Sequence, residues 1–130
     1  MLKNIFLIIS LTLTGCTNHL LVRENSVHTN NYKIVAKNIY QAAKLCWKKD
    51  ETLLTAQILV ENRVTLDSII ITARFDSFGS GVQNPFVKFI IMPSKIGTNI
   101  NLYTQEISWL GKEKHMLSIK KWMRGDYSCG

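Results

Sequence analysis

Acidic residues are few in this 130-residue chain, Asp and Glu totalling 9 against 16 Lys and Arg, for a formal charge of +7. Asp50, Glu51, Glu61, Asp67, Asp76, Glu106, Glu113 and Asp126 are scattered, and none forms a nucleophile, base and orienting set with its neighbours. Histidine is scarcer still. His19, His28 and His115 lack an H-x-x-x-H spacing and have no cysteine close by, so neither a dedicated metal site nor a cofactor is expected. Gly79-Ser80-Gly81 is not followed by the Lys and helix that a phosphate loop needs. These absences predict a protein that is not an enzyme. The apolar run at residues 5–13 falls short of the about 20 residues that a membrane-spanning helix requires.

What the N-terminus does contain is ordered. Met1-Leu2-Lys3-Asn4 opens with a positive charge, the uncharged apolar run follows, and Leu13-Thr14-Gly15-Cys16 closes it. The layout is that of a secretory signal peptide. Leu13-Thr14-Gly15-Cys16 resembles the lipobox of bacterial lipoproteins at all four positions: an aliphatic residue, a small polar or apolar one, a small one, then cysteine. The resemblance implies removal of residues 1–15 and acylation of Cys16. Two or more acyl chains make membrane attachment lasting, since each buried methylene contributes about 0.8 kcal/mol. Thr17 stands where that family's inner-membrane retention signal usually has aspartate, so the resemblance implies the periplasmic face of an outer membrane. Over the whole chain the layout is similar to the small, mostly uncharacterised proteobacterial lipoproteins that place one α/β domain after a lipobox.

Two cysteines then remain, Cys46 and Cys129. In an oxidising compartment thiols tend to pair, and a bridge between them is expected, the alternative being two free buried thiols. The bridge would close a loop of about 83 residues and contribute roughly 4–5 kcal/mol in the chain-entropy model.

Residues 16–31 are largely polar and read as the lipidated cysteine plus a flexible tether, in which Leu20-Leu21-Val22 is an apolar patch and His28 a surface histidine. Residues 32–130 read as a single domain. Tyr32, Val35, Ala36, Ile39, Ala42, Ala43, Cys46 and Trp47 recur every three or four residues, the stripe of an amphipathic helix, with Asn30 or Asn31 as its N-cap. Alternation then predicts strands near residues 54–61, 68–75, 86–92 and 98–109, with Pro85 opening the third and Pro93 ending it. The fourth changes phase, Ile100 and Leu102 lying on one side and Tyr103, Ile107 and Trp109 on the other, so either a bulge switches the phase or both faces are partly covered. Residues 112–124 return to helical spacing, with Gly125 placed as the C-cap.

The expected fold is α+β, in the order α-β-β-β-β-α: a four-stranded antiparallel sheet with both helices packed on one face. Trp47, Trp122, Phe75 and Phe89 are then core, whereas stacking on nucleic acid would need them exposed. The other sheet face would carry Leu59, Ile70, Phe86, Ile90 and Met92 as an apolar patch, unless the register differs or the tether covers it. The expected role is a non-enzymatic module binding an envelope protein partner through Ile70, Ile90 and Met92 or the loop Gly79, Ser80 and Gly81. A second class is a binder of anionic lipid or lipopolysaccharide through Lys33, Lys37, Lys44, Lys48, Lys49, Lys120, Lys121 and Arg124. A third is an inhibitor plugging a periplasmic or host hydrolase with a protruding loop.

Overall fold

The computed structural model describes residues 20–48, 57–76, 85–105 and 113–129. They form β1 (Leu21–His28), α1 (Tyr32–Lys48), β2 (Gln57–Val64), β3 (Ile69–Asp76), β4 (Val87–Ser94), β5 (Gly97–Thr104) and α2 (Glu113–Met123). The architecture is α+β, with a five-stranded antiparallel sheet in the order β1-β5-β4-β3-β2. Strands β2 to β5 form a meander, each pairing with the next along the chain.

The expectation of four strands is therefore corrected to five. The additional strand, β1, lies inside the stretch read as a tether and runs along β5. Two features hid it. Its register shifts between Val22 and Glu24, which breaks the alternation, and its inward phase carries Glu24, Ser26 and His28 rather than apolar residues. An edge strand tolerates such residues because half its surroundings are solvent. His28 is accordingly a half-buried strand residue and not a loose surface histidine.

β1 and β2 occupy opposite edges of the sheet, so the chain must cross it between them. The 17 residues of α1 span about 25 Å, more than the roughly 19 Å across five strands. The helix begins at an N-cap: Asn31 Oδ1 accepts from the Lys33 N–H at 2.9 Å. It ends with Trp47 in edge-to-face contact with Trp122 of α2, ring centroids 5.3 Å apart. α2 stops at a Schellman turn, in which Gly125 N–H donates to the Trp122 carbonyl and Asp126 N–H to that of Lys121. Gly125 takes the positive φ, 89°, that this turn demands.

The core joins Val35, Ile39, Ala43 and Trp47 of α1, Val60, Ile71, Ala73, Phe89, Ile91, Ile100 and Leu102 of the strands, and Ile119, Trp122 and Met123 of α2. Phe86 belongs to it too, only 1% exposed and packed on Trp47 and Phe75. Its expected outward position is thus corrected. Phe86 precedes β4, at a bend where its N–H donates to the Ala73 carbonyl, and the strand's alternation does not extend to it.

Pro93 does not end its strand either. β4 continues to Ser94, which pairs with Gly97 across the turn Lys95-Ile96. Proline is tolerated because β3 begins at Ile69, opposite Ile91, so no neighbouring strand on that side loses a hydrogen bond. β5 keeps an unbroken register from Gly97 to Thr104, with Tyr103 half-buried on the face opposite Ile100 and Leu102, and Ile107 and Trp109 lie outside the described residues.

Candidate binding surfaces

The register lays out the sheet face turned away from the core row by row. One row crosses all five strands as Arg63, Ile70, Ile90, Asn101 and Asn25. The row on one side runs Glu61, Thr72, Lys88 and Tyr103, and on the other Met92 and Asn99 are followed by Val27. Ile70 and Ile90 are direct cross-strand partners at the centre, with Met92 two residues along the same strand, all three half-buried by neighbouring strands. These expected contact residues do come together. Leu59 stands at a corner, opposite Arg74.

Much of the rest of this face is polar, and its organisation was not read from the sequence. Asn25 Nδ2 donates to Asn99 Oδ1 at 2.7 Å and to Asn101 Oδ1 at 2.6 Å, a clamp across β1 and β5. Asn99 and Asn101 are two apart in a strand and so share a face, which was legible; their partner Asn25 was not, because it lay in the presumed tether. Towards β2, Arg74 Nη2 meets Glu61 Oε1 at 2.9 Å. Lys88 Nζ sits 6.0 Å from the centroid of the Tyr103 ring, within cation–π range. The apolar strip of Ile70, Ile90 and Met92 is thus bordered by amides on one side and charges on the other.

The basic set divides. Lys33, Lys37 and Lys44 are exposed, and at 100° per residue their positions on α1 fall within about 40° of one another, a single stripe. α1 carries no acidic residue at all. Lys44 Nζ lies 5.1 Å from the centroid of the Tyr40 ring. On α2, Lys120 is turned to the sheet, its Nζ 3.7 Å from Glu24 Oε2 of β1, so that charge is already compensated. Lys121 is half-buried and Arg124 exposed. Lys48 ends α1.

Cys46 and Cys129 form a disulfide, tying the last turn of α1 to the C-terminal tail. Further bonds hold the tail: Trp122 Nε1 donates to the Ser128 carbonyl at 3.0 Å, and the Ser128 N–H to Asp126 Oδ1 at 3.1 Å. The Ser128 hydroxyl and N–H, with the charge of Lys121, hold the Asp126 carboxyl below the usual carboxylate range. His115 is buried near the start of α2. Among the described residues no three His, Cys, Asp or Glu side chains converge as a metal site would require, and no helix is long and apolar enough to cross a membrane. Cys16, Lys49, Gly79, Ser80 and Gly81 lie outside the described residues.

No protein-family model, curated protein or solved structure matches this chain.

Proposed function

We propose that this chain is a lipid-anchored periplasmic lipoprotein of the outer membrane, acylated at Cys16, and that it acts without catalysis as a binding module for an envelope protein. In this reading both helices cover one face of the sheet and the other meets the partner. The observation that carries it is the pairing of Ile70 with Ile90 at the centre of the face opposite the core, extended by Met92. Their alternate neighbours Ile71, Phe89 and Ile91 are buried with both helices in one core, which supports the assignment of the two faces. A central apolar strip with a polar border is the usual layout of a protein contact. The Cys46–Cys129 bridge suits an oxidising compartment.

In-cell cross-linking followed by detergent extraction tests the reading. A stoichiometric protein should be captured by the native chain and lost both in Cys16→Ser, which removes the anchor, and in the Ile70→Asn/Ile90→Asn double variant. Capture that survives both changes refutes the reading.

A second reading has its own observation, the exposed stripe of Lys33, Lys37 and Lys44 on a helix with no acidic residue. Such a stripe suits an anionic lipid or lipopolysaccharide. Reversing those lysines to glutamate should then abolish salt-sensitive lipid binding and leave protein capture intact.

A further inference from the structure

We propose that β2 pairs antiparallel with β2 of a second copy of this chain, about a two-fold axis at Asn62, joining the two sheets into one. The proposal is independent of the partner-binding role above.

The two edges of the sheet differ. β1 carries the devices that discourage edge pairing, a register shift between Val22 and Glu24 and an inward charge, Glu24, held by Lys120. β2 has none of these: eight residues in unbroken register, without proline or lysine. Its last residue, Val64, is 72% exposed, and Leu66 just beyond it fully so. Among the described residues no strand pairs with its outer side.

The hydrogen-bond parity of β2 follows from its turn. Thr65 N–H donates to the Ser68 carbonyl at 2.8 Å in the same register as the strands, so the odd-numbered residues Arg63, Glu61 and Leu59 direct their backbone groups to β3. The groups of Ile58, Val60, Asn62 and Val64 therefore point to the free edge. A second β2 can bond to them only in registers that place even-numbered residues opposite even-numbered ones.

Charge chooses among those registers. With Asn62 opposite its own copy, Glu61 faces the second copy's Arg63 and Arg63 its Glu61, while Val60 meets Val64. Leu66 then comes alongside the second copy's Ile58. Moving the pairing by two residues sets Glu61 against Glu61 or Arg63 against Arg63, and directly opposed like charges are destabilising. Glu61 is available for this contact: Arg74 takes Oε1, and the side chain remains 50% exposed. The sequence Glu61-Asn62-Arg63 is thus self-complementary about its own centre.

Sedimentation equilibrium of the full chain in density-matched detergent should give two copies per particle. Asn62→Pro removes an N–H directed to the edge and not to β3, so it should leave the far-ultraviolet circular dichroism unchanged and yield single copies. Arg63→Glu and Glu61→Arg should each weaken self-association by roughly tenfold, since each sets two like-charge pairs at the seam. Mixing those two variants should restore pairing between them, because each then supplies the charge that the other lacks. One copy per particle for the native chain at its highest soluble concentration overturns the proposal. So does a dimer that tolerates Asn62→Pro and both charge reversals.

Discussion

Asp126 illustrates how little is needed to fix a chain end. Its carboxylate accepts from Ser128 while Trp122 donates to the same residue's carbonyl, so Ser128 is held from both sides. Because the Asp126 pKa is lowered on folding, its contribution is complete above the ordinary carboxylate range and is lost as pH falls through the lowered value. An NMR titration followed at the Ser128 amide should give a midpoint below the usual 3.8. Ser128→Ala, which removes the hydroxyl that lowers it most, should move the midpoint up.

At the scale of elements, two glycines with positive φ hold different junctions. Gly97 begins β5 at φ 140°, and a Cβ there would lie 2.4 Å from the His28 carbonyl oxygen and 2.7 Å from the Thr29 backbone. Backbone cannot swing aside, so β5 and the end of β1 would have to part. At Gly125 a Cβ would meet the His28 side chain, its Nε2 at 2.8 Å, and an imidazole can rotate away. Gly125→Ala should therefore cost mainly the left-handed backbone term, about 1–2 kcal/mol. Gly97→Ala should cost more, and urea denaturation of the two variants compares them directly. The same junction shows why β1 was hidden: what fastens it to the sheet is the ladder to β5, the Asn25 clamp, the Glu24–Lys120 pair and Thr98 Oγ1 donating to the Asn30 carbonyl at 2.6 Å. All of these are polar contacts with residues about 70 or more positions away, and hydropathy along the chain registers none of them.

For the whole molecule the disulfide is a covalent long-range constraint, joining residues 83 apart. Cys46 is followed by Trp47, whose ring meets Trp122, so the end of α1 is held to α2 by aromatic packing and to the C-terminal tail by sulfur. Replacing both cysteines, Cys46→Ser/Cys129→Ser, should cost roughly 2–5 kcal/mol, read as a lower urea midpoint. The fold should survive in that variant, because the core is continuous from α1 through the strands to α2.

The sequence by itself determined both helices, with the Gly125 cap and Asn31 as one of two candidate N-caps, and the inward residues Ile71, Phe89 and Ile91 of β3 and β4. Those features depend on near neighbours, and their period is written along the chain. It also brought Ile70, Ile90 and Met92 to one face, since a strand's alternation fixes which side each residue takes. Tertiary structure alone decided that residues 21–28 complete the sheet, that Phe86 turns inward, and that Asn25 meets Asn99 and Asn101. It also decided that β1, and not β5, forms the edge opposite β2. The reason is common to all four: a polar edge strand, a residue at a bend and a strand order are fixed by partners distant in the chain, and hydrophobic periodicity reports only on neighbours.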